Sequence, residues 1–271
     1  MTDKTSIPLH FVLLVPCYNN EAGLIKSLRS VHYDKTKYLI LVVDDGSTDS
    51  LNRSRITAQL EPGQPVELLT LEKNAGITNA LNIGLSWIYK NVSCRYVARV
   101  DCGDTCHAQR FYRQVRAMDD DPQLLLLGTW CRFVQQDGKS YLYKTATRQR
   151  AIKRGMFFRN LFIHPTFMMR LLPPDDCLRY STAYHHAEDY ALAWRLMNKG
   201  RVSILPDVLV NCEINDAGIS ETNRRAQLRA RQKVVDDFAV NNILKIAAKI
   251  YLFLLRIIPR RLILAYKLRK Q

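Results

Sequence analysis

His10-Phe11-Val12-Leu13-Leu14-Val15 runs directly into Pro16-Cys17-Tyr18-Asn19-Asn20, and Tyr38-Leu39-Ile40-Leu41-Val42-Val43 runs directly into Asp44-Asp45-Gly46-Ser47. Each apolar run has the length of a strand buried on both faces, and each ends in residues that form turns. Between them Leu24, Ile25, Leu28 and Val31 recur at helical spacing. Ser47 or Thr48 is placed to cap a following helix. The unit repeats outward. Val66 to Leu71 reads as a third strand, Gly76 to Tyr89 as a third helix, and Tyr96 to Val100 as a fourth strand closed by Asp101. Alternation at this length predicts an α/β fold: a Rossmann-like, mostly parallel sheet with helices on both faces.

The polar residues fall where such a sheet binds ligands. Tyr18-Asn19, Asp44-Asp45 and Asp101 all follow the carboxyl ends of strands. In an open α/β sheet these ends line one edge, so segments distant in sequence converge on one crevice. The second half is less regular. Leu124 to Leu127 and Tyr141 to Lys144 read as strands, Glu188 to Lys199 as a helix stopped by Gly200, and Val202 to Val210 as the last strand.

Composition narrows the class. The 271 residues carry a formal charge of +15, which points to an anionic partner. The stretch from Asn242 to Gln271 holds eight Lys or Arg and no acid, more than half of that charge. Lys245, Lys249, Arg256, Arg260 and Lys267 fall within roughly a 60° arc of a helix, beside Ile246, Ile250, Leu252, Phe253, Leu254, Ile257, Leu262 and Ile263. Pro259 should kink or divide that helix. The longest uncharged run, Ile250 to Leu255, is far short of the ~20 residues that span a bilayer. The expectation is an amphipathic tail over residues 226–271 that lies on an anionic membrane surface. The seven cysteines are scattered, odd in number and without a CxxC pair, which argues for a reducing compartment and against a zinc ribbon. Met1 to Ser6 is polar, so no signal peptide is read at the start.

Two acidic clusters carry the chemistry. Asp44-Asp45 ends one strand and Asp101-Cys102-Gly103-Asp104 ends another. Carboxylates at strand ends suit a divalent cation that bridges to a diphosphate, or a ribose hydroxyl. No GxGxxG follows the first strand and no GxxxxGK[ST] occurs, which disfavours nicotinamide and P-loop enzymes. A diphosphate would then need a metal and basic side chains, with Lys73 and Arg99 as candidates. The adjacent His185-His186 lacks an evident third ligand and reads as surface or loop.

Taken in order, Val15-Pro16-Cys17-Tyr18-Asn19, Val42 to Asp49, Asn74-Ala75-Gly76-Ile77, Arg99 to Asp104, His164-Pro165-Thr166, and Ala187-Glu188-Asp189-Tyr190 with Leu192 and Arg195 resemble glycosyltransferase family 2 over roughly residues 8 to 222. The resemblance implies a GT-A fold, with residues 1–115 as the nucleotide-sugar half and 116–225 as the acceptor half. It implies a nucleoside-diphosphate-sugar donor, a UDP-sugar first among them, and Mg²⁺ or Mn²⁺. Pro16, Tyr18, Asn19 and Asp44 would hold the nucleoside, with Asp45 beside them. Asp101 would meet the ribose and the metal, with Asp104 as a second metal ligand. Asp189 would be the general base with Glu188 as its neighbour, and His164 would line the acceptor side. The family often carries a further acid where this chain has Gly103, so which of Asp101 and Asp104 touches the ion stays open.

The resulting expectation is an inverting transferase, a hexosyltransferase first of all. It would add sugar to a lipid-linked or lipopolysaccharide glycan in exopolysaccharide, O-antigen or lipopolysaccharide assembly. It would sit peripherally on the inner face of the cell membrane and bind no nucleic acid. A nucleotidyltransferase would also use such a sheet, but it should carry a Gly- and Arg-rich phosphate loop near the first strand, and none is present. A basic membrane- or nucleic-acid-binding protein without transferase activity should spread its charge over one folded face with interleaved aromatics. Here the charge concentrates in the tail.

Overall fold

The computed structural model describes residues 8–214 and 224–257. Strand β1 (Leu9–Cys17) lies between β2 (Tyr38–Asp44) and β4 (Cys94–Arg99), parallel to both, and β3 (Val66–Thr70) extends the sheet beyond β2. The short β8 (Met168–Arg170) joins β4 to β6 (Leu124–Val134), antiparallel to each, so β6 points the same way as β4. Strand β9 (Arg201–Glu213) continues parallel to β6, while β5 (Thr105–Cys106) and β7 (Ser140–Tyr143) pair antiparallel at its margins. One nine-stranded sheet results, with six strands running in one direction. It crosses residue 115 without a break.

Alternation along β1 and β2 builds two cores. Phe11, Leu13, Val15, Ile40 and Val42 face one side, where α1 (Glu21–Arg29), α2 (Arg53–Thr57) and α4 (Arg110–Asp120) pack. Val12, Leu14, Leu41 and Val43 face the other, covered by α3 (Ile77–Asn91), α5 (Gln149–Met156), α6 (Glu188–Lys199) and α7 (Arg224–Phe238). Residues buried on both faces explain why these strands read as unbroken apolar runs.

The differences from expectation have local causes. Neither Ser47 nor Thr48 caps α2. Asn52 does, accepting from the Arg55 amide at 3.0 Å. Strand β6 runs on past Leu127 to Val134, through two irregularities around Thr129–Cys131 where Gly128, Thr129 and Arg132 interrupt the apolar pattern. Helices α4 and α5 carry too many charges to stand out as apolar stripes.

The tail forms α8 (Asn242–Ile257), and Ala248 and Leu252 bury against α7 and the core behind it. The basic arc leans back onto α7. Lys249 pairs with Asp236 at 2.9 Å, Lys245 donates to the Asp236 carbonyl at 2.8 Å, and Arg256 donates to Gln232 at 2.6 Å. What faces outward is apolar: Ile243, Ile246, Ile250, Phe253 and Leu254 are exposed, from 48% to 80%. The expected positions Pro259, Arg260, Leu262, Ile263 and Lys267 lie outside the described residues. No helix among the described residues is long and apolar enough to cross a membrane.

Candidate active site

The carboxyl ends of β1, β2 and β4 come level because Cys17 pairs with Asp44 and Leu14 pairs with Arg99. The β1–β4 ladder stops before Pro16, which has no N–H to give it. Beyond the strands, side chains tie the loops together. The Asn19 amide donates to Ser47 Oγ at 2.9 Å, and Asn19 Oδ1 accepts from the Thr48 amide at 2.8 Å. Asn19 takes φ of 50°, a left-handed conformation that asparagine tolerates. Tyr18 stands free at the rim, half-exposed.

Asp44, an expected nucleoside contact, lies at the floor of this loop. It is fully buried, and its two oxygens accept from the amides of Ser47 at 3.0 Å and Leu51 at 2.9 Å. Both bonds shape the loop. Asp45 is nearly as buried and clamps the next loop, accepting from the amides of Ala75 at 2.8 Å and Gly76 at 3.0 Å. This draws the Lys73 backbone over Gly46. A Cβ on Gly46 would stand 2.3 Å from the Lys73 carbonyl carbon, and Gly46 has φ of +69°. The Lys73 side chain remains exposed at the edge.

Arg99 is the other basic candidate for the diphosphate. Its guanidinium has no exposed surface. It donates to the carbonyls of Leu14 and Val100 and to Asp101 Oδ1, the last at 2.6 Å. It therefore holds Asp101 from behind. Asp101 itself keeps 37% of its side chain exposed.

Asp104 is the second metal candidate. It is buried, and its Oδ1 accepts from the Glu213 amide at 2.8 Å. Burial first, and the charge of Asp101 second, push its carboxyl up to about 8. Gly103 between them has φ of +101°, and a Cβ there would lie 3.1 Å from Glu213 Oε2. The Glu213 carboxylate thus covers the place of the family's further acid, and Lys26 neutralises it at 2.8 Å. Among the described residues no three acids, histidines or cysteines converge as a metal cage. A cation bridging to a diphosphate needs only one or two protein carboxylates, the rest of its shell being substrate oxygens and water. Asp101, open and held in one orientation, fits that demand.

On the facing wall, Glu188 and Asp189 open α6, where the helix dipole favours negative charge. Asp189 Oδ2 accepts from Asn160 Nδ2 at 2.9 Å, and its Oδ1 accepts from the Tyr190 amide at 2.7 Å. Burial, then the charge of Glu188, raises the Asp189 carboxyl to about 7. Burial also raises Glu188, and Asp101 acts on both acids in the same direction. The two acidic walls therefore share one electrostatic field.

His164 bridges the walls. Its Nε2 accepts from Arg99 Nε at 3.3 Å, with the Tyr180 hydroxyl 2.8 Å away. Burial, then Arg99, holds the ring well below its ordinary pKa, so it is neutral. Tyr180 is fixed in turn by Asn82, which exchanges two hydrogen bonds of 2.8 Å with its backbone. Sequence reading missed Tyr180, Asn82, Asn160 and Glu213. No motif marks them, and their partners lie 98, 29 and 109 residues away. His185 and His186 lie in a loop with ring centroids 3.9 Å apart and planes tilted by 43°.

A parallel sheet with acidic loops at its carboxyl edge, faced by an acid pair on a helix, is the build of the GT-A glycosyltransferases. Solved structures agree on the fold. The mannosyltransferase PcManGT from Pyrobaculum calidifontis, in complex with GDP-Man and Mn²⁺, matches at a TM-score of 0.65 and 18% identity, covering 91% of this chain and 70% of that one. S. aureus TarS 1-349 in complex with UDP-GlcNAc matches at 0.64 and 20% identity, covering 88% and 69%. The chain belongs to glycosyl transferase family 2, whose model matches residues 12–179, and it is a glycosyltransferase. The amylovoran biosynthesis glycosyltransferase AmsE of Erwinia amylovora is 31% identical over 222 residues, 79% of each chain. An uncharacterized glycosyltransferase of Haemophilus influenzae is 24% identical over 233 residues, 82% of this chain and 71% of the relative.

Proposed function

We propose that this chain is an inverting transferase that moves a hexose from a nucleoside-diphosphate-sugar, first of all a UDP-sugar, to a lipid-linked or lipopolysaccharide glycan. The observation that carries the reading is the nearness of the exposed Asp101 carboxylate to the buried pair Glu188–Asp189, on both of which its charge acts. Inversion needs a leaving-group side and a base side. Pro16, Tyr18, Asn19, Lys73 and the Asp45-clamped loop would receive the nucleotide. Asp101 would hold Mg²⁺ or Mn²⁺, which when bound neutralises charge that builds on the departing diphosphate. Arg99 keeps Asp101 aimed. Asp189, with a pKa near neutral, takes the acceptor hydroxyl's proton as the new bond forms. Asn160 orients it, and Glu188 sustains its basicity. The neutral His164 keeps positive charge away from the acceptor side.

AmsE's place in amylovoran biosynthesis supports a polysaccharide pathway, of which exopolysaccharide, O-antigen and lipopolysaccharide assembly are the forms. The donors held by TarS and PcManGT support a nucleotide-sugar, and the Mn²⁺ of the latter supports a divalent ion. The outward apolar stripe of α8 supports peripheral contact with the inner face of the cell membrane. The test is release of nucleoside diphosphate from a panel of nucleotide-sugars in the presence of a membrane extract. Turnover that needs both extract and divalent ion is expected. No turnover with any donor would overturn the reading.

A further inference from the structure

Behind the acceptor wall, a cavity of about 310 Å³ opens between the Arg179–Thr182 segment, the middle of α6 and the end of α7. Arg179 and Arg195 line it, with the hydroxyls of Ser181 and Thr182 and the apolar faces of Leu192 and Phe238. Among the described residues neither arginine has a carboxylate partner, and no carboxylate lines the cavity. Arg195 donates one NH2 to the Cys177 carbonyl at 3.1 Å, while its Nε is shut off from solvent with no acceptor among the described residues. Desolvating a charged donor without an acceptor is costly, and a second guanidinium on the same walls adds repulsion. The arrangement asks for an anion. Two planar guanidiniums with hydroxyls beside them match the oxygens of a phosphate or diphosphate.

Two further features say what carries that anion. Phe238 ends α7, and the next residues outward are the exposed Val240 (88%) and Ile243 (80%), which lead to the stripe Ile246, Ile250 and Phe253 on α8. A polar pocket therefore opens beside an apolar track. The pocket also shares a wall with the transfer site. Tyr180 lines it, and the same residue's hydroxyl meets His164. Arg195 stands seven residues along α6 from Glu188, about 10 Å down the axis. We propose that this cavity binds the phosphate or diphosphate of an amphiphilic acceptor lipid, with Arg179 and Arg195 as the anion ligands. The proposal rests on the transferase reading for its purpose, but its test does not.

The test uses full-length protein, calorimetry and farnesyl diphosphate as probe, in EDTA so that no divalent ion populates the donor side. Inorganic pyrophosphate and farnesol serve as the separated halves. Farnesyl diphosphate should bind more tightly than either half. Arg179→Gln and Arg195→Gln should each weaken it about tenfold, the usual scale for a charge-assisted contact. Asp101→Ala should leave it unchanged. Arg179 is exposed, so its variant carries no risk to folding. Arg195→Gln must retain nucleotide-sugar binding with Mn²⁺ to count. Wild-type affinity in Arg179→Gln overturns the proposal, because Arg195 then merely holds the Cys177 carbonyl. Loss of binding in Asp101→Ala also overturns it, by assigning the probe to the donor side. Pyrophosphate binding as tightly as the prenyl ester overturns the lipid assignment. Farnesyl diphosphate binding through Arg179 in a protein that turns over no donor would sink the transferase reading and leave the cavity's ligand standing.

Discussion

At the residue scale, one acidic motif separates into residues with opposite environments. Asp101 is exposed and steered by Arg99, whereas Asp104 is buried and spends an oxygen on the Glu213 amide. Asp101→Ala should therefore abolish measurable metal-dependent donor binding. Asp104→Asn, which keeps an acceptor for that amide, should stay within a few-fold of wild type. Equal losses in a Mn²⁺-supported titration would return Asp104 to the metal. Asp189→Asn should fold and bind donor yet lose about 10²–10⁴ in transfer, the range for a missing general base. The pH dependence has a definite sign. The Asp189 carboxyl sits at about 7, so its basic form grows as pH rises through that value. Transfer under single-turnover conditions should climb between pH 6 and 8 and then level off. A rate that is flat across this window would exclude Asp189 as base and make Glu188 the next to test.

At the element scale, the first four strands were legible because each is buried on both faces and ends in turn chemistry. A run such as Tyr38 to Val43 admits few other readings. Helix α6 was legible from its acidic start and from Gly200. The part of β6 beyond Leu127, the charged α4 and α5, and the Asn82–Tyr180 clamp were not, because tertiary contacts rather than local pattern define them. The same limit explains Asp44 and Arg99. Their residue types suit ligand contact, and only the fold turns them inward. Loop approach provides a check at this scale. Gly46→Ala would set a Cβ against the Lys73 backbone at a left-handed φ. Strain and overlap together should cost at least about 2 kcal/mol in thermal unfolding. Donor binding should weaken too, since the Gly46 turn and the Lys73 loop form one edge. An unchanged melting temperature would mean that the two loops separate without cost.

At the scale of the whole molecule, the charge that first suggested a membrane surface is partly used inside the protein. Lys245, Lys249 and Arg256 brace α8 against α7, and that bracing turns Ile243, Ile246, Ile250, Phe253 and Leu254 outward. An apolar stripe on a helix whose described residues are too few to span a bilayer should bury itself in the headgroup boundary, where each large side chain contributes on the order of 1.5–3 kcal/mol if fully withdrawn from water. Removing the whole helix would be a poor test, since Ala248 packs into the core and Leu252 is buried. The triple variant Ile246→Ser, Ile250→Ser and Phe253→Ser leaves that packing alone. It should melt at the wild-type temperature, bind donor normally and stay soluble at higher concentration. Its partition onto anionic liposomes should fall by at least about 30-fold, since losing half of that burial at three positions already exceeds 2 kcal/mol. Transfer to a water-soluble acceptor should persist while transfer to a lipid-linked one collapses. If the variant pellets with liposomes as the wild type does, α8 is not the membrane contact, and the transferase assignment stands without it.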